Sequence, residues 1–97
     1  MVYEVRLTDN AREDFLALDA RWRSVVKSAM ETHLRHAPAK ESKSRIKRLR
    51  GLRQPQYRLR VDTIRVFYDI EGGHVTVLGI VPKDRTDEWL TRYGETV

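Results

Sequence analysis

The chain has 97 residues, of which 40% are hydrophobic and 34% are charged, a composition typical of one folded domain rather than of a disordered segment. No apolar run approaches the roughly 18 residues that a membrane-spanning helix needs, and the lack of cysteine excludes disulfides and thiolate metal sites. We therefore predict a single cytoplasmic domain over residues 1–97, with no membrane attachment, cofactor or metal.

The net charge of +5 is concentrated in one segment. Residues 40–60 contain nine of the nineteen Lys and Arg but only one of the fourteen acids, Glu41, so this segment alone carries +8. A local excess of this size is typical of a protein that binds a polyanion. A solvated basic loop that keeps a protein soluble has the same composition, so charge alone leaves both interpretations open.

The first part of the chain predicts a strand followed by two helices. In VYEVRL, residues 2–7, apolar and polar side chains alternate, which is typical of a strand. Residues 8–10, Thr-Asp-Asn, can cap a first helix that runs to about Leu18, and Asp19 can cap a second that ends before Pro38. Both helices are amphipathic, so we expect an antiparallel hairpin that buries one side against a sheet.

The second part predicts the rest of that sheet. Residues 39–55 are polar and basic and are predicted to form a loop. Three strands joined by tight turns follow, at residues 56–61, 64–70 and 74–81. The tail after Pro82 predicts a short helix that carries Trp89 on its apolar side and ends at Gly94.

The fold class is therefore α+β: an N-terminal strand, an antiparallel two-helix hairpin, a three-stranded antiparallel meander completing a twisted sheet, and a short C-terminal helix. The pairing partner of the first strand is left open.

Strand alternation in YRLRVDTIRVFYDI places Arg58, Arg60 and Arg65 on one sheet face together with Phe67. The other face is apolar and is expected to meet the helical hairpin. An antiparallel sheet can leave its second face in water, where the arginines could neutralise phosphates and Phe67 could stack on a base. The alternative is that the arginines pair with nearby carboxylates, of Asp62, Asp69, Asp84 or Asp87.

Several stretches of the second half resemble the RelE/ParE superfamily of bacterial and archaeal toxins. They are LRGL at residues 49–52, then YRLRV, IRVFYDI and VTVLGIVPKDR. The family pattern reads Leu-Arg-Gly, then Tyr-basic-apolar-basic, then apolar-Arg-apolar-apolar-Tyr, a strand and a basic tail. The N-terminal strand and helical hairpin agree with the family as well, so the resemblance covers nearly the whole chain and implies a RelE-like fold.

The resemblance implies the toxin half of a type II toxin–antitoxin module, whose partner is a cognate antitoxin that can assemble with it into a heterotetramer. RelE-like toxins cut messenger RNA on the ribosome without a metal, which makes the ribosome and mRNA the other expected partners. ParE-like toxins inhibit DNA gyrase instead, and that alternative stays open. In RelE-like cleavage the ribose 2′-OH attacks the adjacent phosphate, so the site must assist deprotonation, charge stabilisation and protonation of the leaving 5′-oxygen.

Matching the family motif position by position gives the candidate catalytic residues: Arg58, Arg60, Arg65, Lys83 and Arg85. Arg58 and Arg60 fall where RelE has lysines, and the family's C-terminal tyrosine falls at Leu90. Because arginine stays protonated, it can bind a phosphate but is a poor general base, so a base is expected from Glu88, His74 or a ribosomal group. The basic segment and the arginine-bearing face add the candidate RNA-binding residues: Lys43, Arg45, Lys47, Arg48, Arg50, Arg53 and Phe67.

Overall fold

A computed structural model describes residues 2–97. Its elements, in chain order, are β1 Glu4–Leu7, α1 Asp9–Ala17, α2 Ala20–Leu34, β2 Ile46–Arg48, β3 Leu52–Gln54, β4 Tyr57–Val61, β5 Ile64–Glu71, β6 His74–Pro82, a 3-10 turn Lys83–Arg85, α3 Thr86–Tyr93 and β7 Glu95–Thr96. The predicted α+β order is confirmed. Within residues 2–97, no helix has the length and apolar character needed to cross a membrane.

Five strands form the main sheet in the order β1-β6-β5-β4-β2. Strands β4, β5 and β6 are the predicted antiparallel meander. The first strand pairs in parallel with β6, with Glu4 opposite His74, which answers the question that the sequence left open. This parallel pairing puts β1 at one edge of the sheet, with β2 at the other edge.

Like β3, strand β2 lies inside the stretch that was predicted to be a loop, so that prediction is wrong for residues 46–48 and 52–54. The strand pairs with β4, and its Ile46 is buried opposite Leu59. Three residues with one apolar side chain give no readable alternation, so the strand is recognised only from its pairing with β4. Strands β3 and β7 form a second small sheet. They are also too short for the sequence to predict them.

The helical hairpin covers one face of the sheet, as predicted. The Thr8 hydroxyl accepts a hydrogen bond from the Ala11 amide at the start of α1, and an Asp19 carboxylate oxygen accepts one from the Trp22 amide at the start of α2. Each cap satisfies a backbone donor that the first helical turn leaves free. The buried core between hairpin and sheet includes Val26, Met30, Leu34, Leu59, Val61, Ile64, Val66, Tyr68, Val75, Val77 and Ile80.

The second face of the sheet is partly covered by the C-terminal segment. The Trp89 ring of α3 stacks on Phe67, with ring centroids 4.8 Å apart and an interplanar angle of 7°. Beneath the indole lies Gly79, where a Cβ would overlap the ring atoms of Trp89. Strand β7 then pairs with β3 and holds the end of the chain. The prediction of a helix-free, wet second face is therefore wrong at Phe67 and Gly79.

Candidate functional site

Two neighbouring strands bring three arginines together on the second face of the sheet. Arg60 of β4 lies directly opposite Arg65 of β5, and Arg58 lies opposite Phe67. The predicted grouping of these side chains on one face agrees with this register. We call Arg58, Arg60 and Arg65 the arginine cluster. Lys47 of β2 lies opposite Arg58 and adds a fourth cation to the same face.

The arginine cluster forms no ion pair with a carboxylate among residues 2–97. Over the part of the chain that the structure describes, the close contacts between basic side chains and carboxylates join other residues, Arg35 to Glu31 and His74 to Glu4. The alternative in which the cluster pairs with nearby aspartates is therefore wrong. Asp69, the carboxylate on the same strand, instead accepts hydrogen bonds from Gln54 Nε2 at 2.6 Å and from the Gln56 amide at 2.8 Å.

The positive charges of the cluster repel one another, which favours the binding of an anion beside them. Burial lowers the pKa of Arg58, and the charge of Arg60 lowers it further. The pKa of Arg65 is lowered by burial first and then by Arg58 and Arg60, while Asp62 acts in the opposite direction. In addition, the Arg58 Nε is buried and has no hydrogen-bond partner among the described residues. A buried donor without an acceptor is costly to the fold.

Arg65 is the least accessible member of the cluster, with 6% of its surface exposed. One terminal nitrogen of its guanidinium donates to the Asp62 carbonyl at 2.7 Å and to the Ile64 carbonyl at 3.1 Å. These contacts hold the tight β4–β5 turn, in which Asp62 has a φ of 55°. The expectation that Arg65 lies exposed on the sheet is wrong, and Arg60 is the exposed member of this cross-strand pair.

Phe67 cannot stack on a nucleobase, because it is 1% exposed and lies beneath Trp89. That prediction is wrong, since strand parity reports the face of a residue but not what covers the face. The accessible aromatic ring of this region is Tyr93, which is 43% exposed and lies 5.3 Å from Trp89 between ring centroids. Its position four residues after Trp89, on the same side of a helix, is the sequence signal that could have identified it.

The two candidate catalytic residues of the tail, Lys83 and Arg85, lie on different parts of the surface. The Lys83 amide donates to the Thr63 carbonyl at 2.7 Å, which places Lys83 at the tip of the hairpin that carries the arginine cluster. Arg85 lines a groove of about 290 Å³ between α1 and α3, and the carboxylates of Asp14 and Glu88 lie on the same groove. The structure therefore places Lys83 near the cluster's strands and Arg85 at the groove.

One candidate base is remote from the arginine cluster. His74 pairs with Glu71 in the β5–β6 ladder, six residues along β5 from Arg65, which corresponds to about 20 Å of strand. His74 is therefore too far away to act on a phosphate that the cluster binds. Glu88 and a ribosomal group remain as the candidates from sequence analysis.

The basic segment is divided among several surfaces. Lys47 shares the face of the arginine cluster, whereas Arg48 lies over the Tyr57 ring, 5.0 Å from its centroid. Burial lowers the pKa of His33 and the charge of Arg45 lowers it further, which puts Arg45 beside the end of α2. The remaining candidates are exposed: Lys43, Arg50 and Arg53. The excess of +8 is thus not one continuous site.

Comparison with known proteins supports the fold and its class. No protein-family model and no curated protein sequence matches the chain. Among solved structures, a chain of the toxin–antitoxin complex RelBE2 from Mycobacterium tuberculosis matches with a TM-score of 0.67 and 26% identity, over 84% of this chain and 99% of that one.

Two archaeal complexes match as well. A chain of the RelE–RelB complex from Pyrococcus horikoshii has a TM-score of 0.70 and 20% identity, over 88% of this chain and 99% of that one. A chain of the RelB–RelE complex from Methanococcus jannaschii has a TM-score of 0.66 and 16% identity, over 86% of this chain and 95% of that one. The fold of the chain is thus that of chains from RelE–RelB complexes. The chain is RelE-like, as its sequence motifs predicted.

Proposed function

We propose that this chain is the toxin of a type II toxin–antitoxin module and that it cleaves messenger RNA on the ribosome. The similar structures support the toxin assignment, because they are RelE–RelB complexes. The arginine cluster carries the argument for RNA: its guanidiniums share one face, and within residues 2–97 none of them forms an ion pair with a carboxylate. Guanidinium groups bind phosphate through paired, charge-assisted hydrogen bonds.

The arginines would act on the charge of the reacting phosphate. As the 2′-OH attacks, negative charge grows on the phosphate oxygens, and donors fixed in advance stabilise that charge without reorganising. Arg58 and Arg60 are the cluster members whose side chains are partly or fully exposed, so they would contact the RNA. Arg65 would hold the hairpin turn and add its charge to the field at the site. Proton transfer would fall to Glu88 or to a ribosomal group, because an arginine does not lose its proton at cellular pH.

The proposed partners follow from this role. A cognate antitoxin would bind the toxin, in an assembly that can include two copies of each chain, and the ribosome would present the mRNA in the cytoplasm. An acidic antitoxin segment would meet the positively charged face, which speeds association through complementary charge. Co-expression with the product of the neighbouring reading frame should yield a stable complex. High-yield purification of the chain alone, from cells that grow normally, would contradict the toxin assignment.

The decisive experiment induces the chain in bacteria and maps RNA 5′ ends while plasmid supercoiling is followed in parallel. We expect cuts within translated messages, and Arg60→Ala should reduce their rate about 10²–10³-fold, the usual effect of removing one donor that stabilises developing charge. The matched control is Lys27→Ala, which removes an exposed cation from α2 on the opposite side of the sheet. Intact messages together with trapped gyrase–DNA breaks would instead assign the ParE-like activity.

The lysine that RelE has at the position of Arg58 offers a second test. Arg58→Lys keeps a cation on β4 but introduces an amine, which can give up its proton when its surroundings lower its pKa. If this position supports the base in RelE-like cleavage, the variant should retain or exceed the wild-type cleavage rate. A loss as large as that of Arg58→Ala would show that the forked guanidinium itself is needed.

A further inference from the structure

A second basic site lies between the end of α2 and the segment that leads into β2. It is a pocket of about 230 Å³, and its polar lining residues are Thr32, His33, Lys40, Ser42 and Arg45. We call it the α2 pocket. None of its lining residues is acidic, although Glu41 is adjacent in sequence. The Glu41 carboxylate is directed elsewhere, since it accepts a hydrogen bond from the Arg48 amide at 2.8 Å.

The hydroxyl of Ser42 is fixed as a donor. Its oxygen accepts hydrogen bonds from the Arg45 amide at 3.0 Å and from the Ile46 amide at 3.3 Å, and the Ser42 amide donates to the Ile46 carbonyl at 3.0 Å. A hydroxyl has two acceptor lone pairs and one proton. With both lone pairs occupied, its O–H remains available to a ligand in the pocket.

The other polar groups of the pocket favour an anion as well. Lys40 and Arg45 take part in no ion pair in residues 2–97. Burial, followed by the charge of Arg45, lowers the pKa of His33, so near pH 7 its neutral ring can donate one N–H. The end of α2 carries only a partial negative charge, and one of its carbonyls, that of His33, already accepts from the Ala37 amide at 3.3 Å. Two full cations outweigh that partial charge.

We propose that the α2 pocket binds a phosphate group. Lys40 and Arg45 supply the charge, the Ser42 hydroxyl donates a fixed hydrogen bond, and His33 donates a further one. If the proposed function holds, the phosphate belongs to the same RNA that reaches the arginine cluster. The two sites adjoin across β2, because the Arg60 amide of the cluster strand donates to the Arg45 carbonyl at 2.8 Å. An RNA strand can therefore pass over the edge of the sheet between them.

The test follows the ring protons of His33 by NMR across a pH titration, with the His33 signal identified by its loss in His33→Gln. Inorganic phosphate should raise the pKa of His33, because a nearby anion stabilises the imidazolium form. The neighbouring groups Glu31, Arg35 and His36 on the end of α2 are present in every sample, so they do not affect the comparison. The double variant Lys40→Ala/Arg45→Ala should abolish the phosphate response, whereas Lys27→Ala should preserve it.

A second arm replaces phosphate with a short single-stranded RNA and identifies the source of the phosphate group. A shift of His33 with both ligands supports an RNA contact, and a shift with inorganic phosphate alone overturns the RNA source. If the pKa of His33 shifts with neither phosphate nor RNA, the proposal that the α2 pocket binds phosphate is overturned. An equal shift in the Lys40→Ala/Arg45→Ala variant overturns it as well. These outcomes are separable from the proposed function, since a chain that responds to phosphate but cleaves no message would lose only the nuclease assignment.

Discussion

Arg60 and Arg65 face each other across β4 and β5, yet their surroundings differ. Arg65 is buried and donates to two carbonyls of the turn, whereas Arg60 is exposed and carries the same charge. We predict that Arg65→Ala lowers the free energy of unfolding by about 1–3 kcal/mol, the usual cost of losing buried hydrogen-bonded partners. Arg60→Ala should leave stability unchanged or slightly raised, because like charges directly opposite each other destabilise a ladder.

Urea denaturation of the two variants beside the wild type measures this difference. Equal midpoints for Arg65→Ala and wild type would show that the contacts with Asp62 and Ile64 do not stabilise the turn. The result also governs how activity is interpreted. If Arg65→Ala abolishes growth inhibition, the loss reports on the reaction only when the variant remains folded at the temperature of the assay.

The half-buried carboxylate of Asp14 leads to a prediction about how stability depends on pH. Asp14 Oδ2 accepts a hydrogen bond from the Ile80 amide at 3.1 Å. Burial raises the pKa of Asp14 most, the Ile80 hydrogen bond opposes that rise, and Glu13 adds to it. When the pKa of a carboxyl is higher in the folded than in the unfolded state, the free energy of unfolding rises as pH falls from the folded-state pKa to the unfolded-state pKa. The charged form of Asp14 therefore lowers the free energy of unfolding at neutral pH.

Asp14→Asn keeps an acceptor oxygen for the Ile80 amide but removes that charge. The variant should therefore be more stable than wild type at pH 7, and the difference should disappear below the ordinary pKa of aspartate, ~3.9. Urea midpoints at pH 7 and at a pH under that value measure it. A stability difference that is the same at both pH values would show that the charge of Asp14 is not its cause.

At the scale of residues, strand parity correctly assigned the face of each arginine but not its exposure. Alternation in YRLRV and IRVFY depends only on backbone geometry, so the grouping of Arg58, Arg60 and Arg65 could be read from the sequence. The burial of Phe67 depends on Trp89, about twenty residues later in the chain, and Arg65 folds back onto the carbonyls of its own turn. The unpartnered Arg58 Nε depends on the placement of every nearby acceptor, which no local pattern encodes.

At the scale of elements, the Trp89 ring packs α3 against the sheet. Gly79 has no side chain, and the indole of Trp89 lies directly against its backbone while stacking on Phe67. Gly79→Ala should displace α3 and lower the free energy of unfolding by about 1–3 kcal/mol, the usual cost of overpacking. Trp89 fluorescence should change with it, because the ring would leave its position between Phe67 and Tyr93.

A double-mutant cycle provides the control for this contact. In a Trp89→Ala background the clash partner is gone, so adding Gly79→Ala should cost little, and the two changes should be strongly non-additive. If Gly79→Ala costs as much without Trp89 as with it, the glycine is needed for the strand itself rather than for the helix above it.

The elements that could be predicted are those with a strong local signal. Thr8 and Asp19 are good caps before amphipathic runs, and both helices begin where these residues indicated. Strand β2 and the β3–β7 pair have two or three residues each, and their pairing is decided by tertiary contact. The parallel pairing of β1 with β6 joins distant parts of the chain, and alternation within a strand does not specify its neighbour.

At the scale of the whole molecule, charge distribution decides how RNA would be held. The chain carries +5 overall, and a diffuse positive field and a localised phosphate site predict different responses to salt. For single-stranded nucleic acid, the logarithm of affinity falls with the logarithm of salt concentration by about 0.7 for each phosphate neutralised. If the arginine cluster binds RNA phosphates, this slope should become shallower by about 0.7 in Arg58→Ala and by about 0.7 in Arg60→Ala.

Fluorescence anisotropy with one labelled single-stranded RNA, measured over a series of salt concentrations, gives these slopes. Lys27→Ala removes the same charge from the exposed side of α2, away from the arginine cluster, and should therefore leave the slope unchanged. If all three variants flatten the slope equally, the RNA is attracted by net charge alone and the cluster is not a site. If only the two cluster variants do so, the phosphate contacts lie on β4, where the Arg58 Nε has no hydrogen-bond partner among residues 2–97.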